Sequence, residues 1–411
     1  MADISVLNIL LHGERIGALT NVGHDRVLFS FNDAYIDKPN RATLGLRFKD
    51  AFGELITEFK PTQTRLIPYF SNLLPEGPLR DYLSKRAGVN AEREFFLLWA
   101  LGADLPGAIT VIPDDDERWP SRLDDSAGEG EHAPRQNETL RFSLAGVQLK
   151  FSAIREACGG LTIPASGMGG SWIVKLPSMH FAGVPENEFS MMTLAHLIGI
   201  DVPPIQLVEV KDIKHLPVGM GDVQSSAFAI KRFDRLDDGH PVHIEDFAQV
   251  FDVYPSGKYN KVRSSNIARV IAAESNENDI IEFIRRLTFN TLIGNADMHV
   301  KNWSLIYPDQ RHARLSPAYD FVSTIPYIAD NNAALRYSKS KRFDAFSLDE
   351  LKHLSAKALL PEKIVLDTAR KTVALFHEHW QKEKIHLPLY PHVVEAIDQH
   401  IRHVPIVNDS V

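Results

Sequence analysis

The sequence predicts an α+β chain in three successive parts: a small mixed unit, a strand-rich lobe and a helix-rich lobe. Three observations carry this. Short apolar runs punctuated by Gly, Asn, Asp and Pro fill residues 4 to about 50, and similar runs return between 140 and 236. From residue 243 onward, apolar positions recur at helical spacing.

The leading unit, residues 1–113, opens with the strand candidates "SVLNILL", "GERIGALT", "RVLFSF" and "ATLGLRF". A helix follows in "FSNLLPEGPLRDYLSKRAGV", with Pro78 as starter and Gly88 as stop. A second, "NAEREFFLLWALGA", takes Asn90 as N-cap, with Glu92 and Glu94 in its first turn. After "GAITVIP", residues 114–139 are acidic, rich in turn formers and without periodicity, which reads as a solvated linker.

The strand-rich lobe, 140–236, contains "LRFSLAGVQLKFSAI" and "GSWIVKLPS", the helix "ENEFSMMTLAHLIGI", and the strands "PIQLVEV" and "SSAFAIKRFDR". The glycines of "SGMGGSW" precede a strand and no G-K-[ST] follows, so this is a hairpin tip and not a P-loop. The helical part, 237–411, holds "HIEDFAQVF", "NIARVIAAES", "DIIEFIRRLTFNTLIG" and "PEKIVLDTARKTVALFHEHW". The basic run "RYSKSKRF", 336–343, reads as a solvated face.

Composition narrows the classes. The 411 residues are 44% hydrophobic and 24% charged, an ordinary globular balance, and a formal charge of -8 advertises no nucleic-acid surface. Contact with DNA would have to be indirect, through a partner. A lone cysteine, Cys158, excludes an intramolecular disulfide and points to a reducing, cytoplasmic setting. No apolar stretch reaches the roughly 18 residues of a membrane helix, and the N-terminus lacks a basic leader.

Chemistry concentrates in "GNADMHVKNWSLIY", residues 294–307, and in "LSPAYDFVST". Asp297 and Asn302 stand in D-x-x-x-x-N spacing, and Asp320 follows after a hairpin formed by "WSLIY" and "HARLSP". An aspartate can accept a hydroxyl proton, while an asparagine and a second aspartate can hold Mg²⁺. That order is the catalytic arrangement of protein-kinase-like phosphotransferases, which makes the expected fold two-lobed and kinase-like. By itself the spacing is better read as an Asx-turn before a hairpin, since Asp and Asn are common in loops.

Upstream features agree with the sharper reading. Lys175 ends the apolar strand "SWIVK" and can reach nucleotide phosphates; Glu188, in the following helix, is its natural carboxylate partner. The turn around Ser143, Gly146 and Gln148 can offer backbone N–H groups to phosphate, and "FAIKRFDR" lies at the junction of the lobes.

Taken in order, "FSLAGVQLKF", "WIVKLP", "NEF", "KRFDR", "EDFAQ", "ADMHVKNWSLIY" and "LSPAYDFVST" resemble the HipA family, toxin serine/threonine kinases of bacterial toxin–antitoxin systems. The leading unit, with "FSNLLPEG" and "LGADLPGAITVIP", is similar to that family's N-terminal subdomain. The resemblance implies Asp297 as catalytic base and Asn302 and Asp320 as metal ligands. It implies Ala145, Gly146, Val147, Gln148, Leu149 and Lys150 as phosphate-binding loop and Lys175 as nucleotide-binding lysine. Lys231, Arg232 and Phe233 become the adenine hinge, with His299, Lys301, Asn302, Tyr319 and Asp320 completing the site. Ser143 resembles a serine that the family autophosphorylates to silence the kinase. Further implications are ATP and Mg²⁺ as cofactors, an aminoacyl-tRNA synthetase as substrate, and a HipB-like helix-turn-helix antitoxin as partner. Two other classes share these residues: a kinase-fold co-repressor, and a small-molecule phosphotransferase. The leading unit, which a small-molecule kinase does not need, counts against the latter.

Overall fold

The computed structural model describes residues 5–114, 150–155, 161–162, 170–178, 180–216 and 225–409. Ser143, Ala145, Gly146, Val147, Gln148, Leu149 and Cys158 lie outside these, as do linker residues 115–139 and most of the "SGMGGSW" tip.

In the leading unit, β1 (Ser5–Leu11), β2 (Glu14–Asn21), β3 (Arg26–Phe31), β4 (Thr62–Gln63) and β5 (Ile109–Pro113) form one antiparallel sheet in the order β4-β3-β2-β1-β5. Alternation along β3 sends Val27, Phe29 and Phe31 to the core. There Phe29 meets Phe70 and Phe48 with ring centroids at 5.0 and 5.6 Å. Each such ring contributes on the order of 2–3 kcal/mol by burial. The helix Gly77–Ala87 begins with Pro78 and ends at Gly88, whose φ of 68° suits a glycine stop.

Two local expectations give way to tertiary structure. The second helix spans only Glu94–Leu101, and Asn90 instead accepts the Glu92 N–H at 2.8 Å in an Asx-turn. The segment "ATLGLRF" is no strand: it ends in a single 3₁₀ turn, Leu46–Phe48, and its hydrogen bonds go to the helical part of the chain. Thr43 donates through N and Oγ1 to the carbonyls of Gln310 and Arg311, and the Leu46 N–H donates to Glu245 Oε1 at 2.9 Å. Gly45 allows this approach, since a Cβ there would sit 2.6 Å from Tyr69 and 2.7 Å from Glu245.

The strand-rich lobe is built from β6 (Lys150–Arg155), β7 (Leu161–Thr162), β8 (Trp172–Lys175), β9 (Ile205–Glu209), β10 (Ile213–Lys214) and β11 (Ser226–Lys231), ordered β10-β7-β6-β8-β11-β9. The helix Val184–Leu197 packs on β11, so that Met191, Met192 and Leu194 join Phe228 and Ile230 in one core.

The helical lobe is organised by the helices Glu277–Leu292 and Glu362–Glu383, which meet through rings such as Phe289 and Phe376 at 5.8 Å. A small sheet, β12 (His243–Asp246), β13 (Ser304–Tyr307) and β14 (Arg314–Leu315), carries the expected hairpin. Thus "HIEDFAQVF" is half strand, and only Phe247–Val250 is helical, behind a capping box of Asp246 and Gln249. The run "RYSKSKRF" is not simply a solvated face. Tyr337, Ser338 and Phe343 are buried, and the N–H groups of Ser338 and Lys339 converge on the Glu350 carboxylate at 2.8 and 2.6 Å. No helix among the described residues is long and apolar enough to cross a membrane.

A buried polar group marks the junction of the leading unit with β12. His243 Nε2 donates to the Leu44 carbonyl at 2.7 Å, while Glu245 accepts from Leu46 and from the Tyr307 hydroxyl. Burial pushes the Glu245 carboxyl up to about 8 despite those two donors. Its unfolded value lies near 4.3, so the folded chain holds the extra proton between the two. The stability this proton confers is complete at acid pH and is lost as pH rises through about 8. Glu245→Gln, neutral at every pH, is expected to lose less melting temperature than the native protein between pH 6 and 9. Parallel melting curves would refute this.

Candidate active site

At the end of β8, Lys175 sits in a pocket closed by Phe228, whose ring centroid is 5.5 Å from the ammonium. The helix Val184–Leu197 starts with Pro185, one turn before Glu188, and this aims Glu188 at the strand end. Lys175 and Glu188 are 4% and 2% exposed, and the ammonium contacts both Glu188 Oε1 and Asp320 Oδ1. Burial alone would pull the Lys175 pKa down, but the two carboxylates outweigh it and hold it above the usual lysine value. The pairing of Lys175 with Glu188 is therefore present, and Asp320, 145 residues further on, completes a triad.

Asp320 has φ of 59°, in the left-handed region, where a non-glycine residue costs on the order of 1–3 kcal/mol. Neighbouring contacts hold this turn. Asn295 Nδ2 donates to the Asp320 carbonyl at 3.3 Å, and the Tyr319 hydroxyl donates to the Lys301 carbonyl at 2.9 Å.

The loop carrying Asp297 departs from the helix Glu277–Leu292 at Gly294, φ 66°, where a Cβ would lie 2.5 Å from Ile325. Asn295 Oδ1 accepts the Asp297 N–H at 3.0 Å. The Asp297 carbonyl accepts from His299 N–H at 2.7 Å and from Asn302 Nδ2 at 2.9 Å. The backbone of Asp297 is thus fully engaged while its carboxylate faces outward. With its nitrogen used on that carbonyl, Asn302 could offer only Oδ1 to a metal ion. Asn295 spans the loop and the Asp320 turn, so the two expected ligand residues lie on segments tied to one another.

His299 is 7% exposed, and burial holds its imidazole down at about 4 against the upward pull of Asp297. It is neutral at physiological pH and adds no charge beside the loop. Met298 is buried and packs in the core.

Lys301 reaches toward the leading unit. Its ammonium meets Glu76 Oε1 at 2.7 Å and the Asn72 carbonyl at 3.2 Å. Glu76 also binds Lys258 at 3.1 Å. Burial favours the neutral Glu76 carboxyl, yet the two ammoniums hold it down at about 2.

At the lobe junction the Lys231 N–H donates to Pro204 at 2.9 Å and the Arg232 N–H to Ser171 at 2.7 Å. Of the three backbone amides in this stretch, Phe233 alone donates to no acceptor among the described residues. Its ring lies 5.6 Å from Tyr319. The Lys231 ammonium pairs with Asp237. Arg232 is buried and makes two bonds to Asp234, at 2.9 and 2.8 Å, and one to Asp104 at 3.2 Å. Arg235 and the Gly107 N–H complete this cluster, which fastens the loop 104–108 of the leading unit to the lobe junction. Of the expected phosphate-binding segment only Lys150 is described, its backbone paired with Lys175 in β6–β8.

Sequence reasoning did not single out Tyr259, Glu76, Lys258 or Asn295. The Tyr259 hydroxyl donates to Asp297 Oδ1 at 2.6 Å, and its ring stands edge-on to His299 at 5.1 Å. Nothing in "PSGKYNK" signals this contact; it arises because the loop before the helix Ser264–Glu274 folds over residue 297.

Residues 7–112 match the family described as HipA N-terminal domain, and residues 142–380 the HipA-like C-terminal domain. Y4dM of Sinorhizobium fredii, which carries a kinase name, is 55% identical over 403 residues, 97% of each chain. The serine/threonine-protein kinase toxin HipA of Shewanella oneidensis is 26% identical over 330 residues, 70% of this chain and 69% of that one. A chain in the solved complex of Shewanella oneidensis HipA, HipB and operator DNA has the same fold. The TM-score is 0.73 at 20% identity, covering 98% of this chain and 99% of that chain.

Proposed function

Because this chain belongs to the HipA family of kinases, we propose that it transfers the γ-phosphate of ATP to serine or threonine of a protein, as the toxin of a toxin–antitoxin pair. The observation that carries this reading is the triad of buried Lys175 and Glu188 with partly buried Asp320, joined through Asn295 to the loop of Asp297 and Asn302.

In this reading Asp297 accepts the proton of the acceptor hydroxyl, a task that suits an exposed carboxylate on a fully hydrogen-bonded backbone. Lys175, kept charged by its two carboxylates, binds nucleotide phosphate oxygens. Ala145 to Lys150 supply backbone donors to the same phosphates, and Lys231 to Phe233 receive adenine, the Phe233 N–H being the donor still to be used. His299 and Tyr319 line the nucleotide site. Lys301, bound to Glu76, fixes the loop from behind.

The Asn302 carboxamide and Asp320 carboxylate are hard oxygen donors of the kind Mg²⁺ selects, and both are anchored by hydrogen bonds or ion pairs. When bound, the ion offsets charge on the transferred phosphate. Phosphate on Ser143 would set about two negative charges in the phosphate-binding segment and repel ATP. A HipB-like antitoxin that binds DNA and an aminoacyl-tRNA synthetase substrate complete the proposal.

Thiophosphate labelling of a bacterial lysate with native protein and with Asp297→Ala tests it, read by mass spectrometry. A labelled translation enzyme and labelled Ser143, both absent with Asp297→Ala, are expected. Label confined to small molecules would overturn the protein-kinase assignment.

A further inference from the structure

Asp297 carries an acceptor of its own. In a phosphotransfer site the incoming hydroxyl donates to the catalytic carboxylate at about 2.6–3.2 Å, and the Tyr259 hydroxyl donates to Asp297 Oδ1 at 2.6 Å. Tyr259 is the one hydroxyl on that carboxylate among the described residues. Tyr259 is exposed, at 40%, so it stands at the mouth of the site and not beneath it.

The contact is held from both sides by the leading unit. Glu76 binds Lys258, next to Tyr259, at 3.1 Å and Lys301, in the catalytic loop, at 2.7 Å. The Asn72 amide donates to the Val253 carbonyl at 2.8 Å, and the Arg65 guanidinium lies 5.6 Å from the Tyr254 ring centroid. The segment 253–259 is thereby fastened to residues 65–76, and one carboxylate links the two halves of the Tyr259–Asp297 contact.

We propose that Tyr259 occupies the acceptor position: an incoming hydroxyl, of water or of a protein side chain, reaches Asp297 Oδ1 only when Tyr259 moves off it, and Glu76 sets how readily it moves. Tyr259 is then a specificity-determining residue. It favours an acceptor protein that can displace a tethered phenol and disfavours water, which would waste ATP. This rests on the reading of Asp297 as the base.

ATP hydrolysis in the absence of any protein substrate tests the proposal, with water as the probe acceptor. Tyr259→Phe keeps the ring against His299 and removes only the donor. It is expected to raise kcat for hydrolysis about tenfold, the scale of a charge-assisted hydrogen bond, with KM for ATP unchanged. Glu76→Gln, which loosens both tethers, is expected to raise kcat in the same direction by less. A fall in kcat with Tyr259→Phe would mean that the hydroxyl orients Asp297, and an unchanged kcat that it does nothing; either overturns the proposal. Hydrolysis that persists undiminished in Asp297→Ala would instead remove the base assignment itself, and the proposal with it.

Discussion

Asp297→Ala is expected to lower phosphotransfer by about 10³-fold, with nucleotide affinity and melting temperature close to those of the native protein. The size is that of a positioned general base together with the hydroxyl it orients. Stability is spared because the Asp297 carboxylate is exposed, while the bonds that shape the loop come from its backbone and from the side chains of Asn295 and Asn302. Asp297→Asn keeps the shape and loses the base, so it should be nearly as inactive. Rates of γ-phosphate transfer measured beside a nucleotide-binding titration decide the matter. A loss below about tenfold would assign the proton to another group, and a parallel collapse of melting temperature would mean that the side chain is structural.

Lys175→Met should do the opposite and damage the fold as well as the chemistry. It removes the cation shared by Glu188, 2% exposed, and the partly buried Asp320. Breaking a buried pair by removing one partner costs on the order of 3–5 kcal/mol, because a desolvated charge stays behind. Denaturant unfolding should show that loss, and ATP binding should fall below detection. Adding Glu188→Leu to Lys175→Met should recover part of the stability and none of the binding. A Lys175→Met protein as stable as the native one would show that the two carboxylates tolerate burial without the lysine.

Much of the strand and helix order was legible in the chain. Gly88 ends its helix as its conformational freedom predicts, the "WSLIY" and "HARLSP" hairpin forms, and Glu188 comes to Lys175. These features depend on periodicity, turn chemistry and short reach. Where the reading slipped, a distant segment intervened. "ATLGLRF" has the apolar content of a strand, yet its N–H groups find acceptors at Gln310 and Glu245. "HIEDFAQVF" gives up its first turn because β13 offers His243–Asp246 a ladder. Lys301 reads as a phosphate-facing cation, but Glu76 lies within reach of it.

The family and the chemical types are written in the chain: a carboxylate and a carboxamide at D-x-x-x-x-N spacing, a strand lysine, and a small α+β leading unit. Which distant charges meet follows only from the packed structure. The Lys175–Asp320 contact spans 145 residues, the Asp104–Arg232 contact 128, and the tether of Lys301 to the leading unit 229. Packing also set Tyr259 on Asp297, 38 residues away. The reason is physical: local propensity acts over one helical turn or one hairpin, whereas a buried charge must find a partner wherever the packed lobes bring one within about 3 Å.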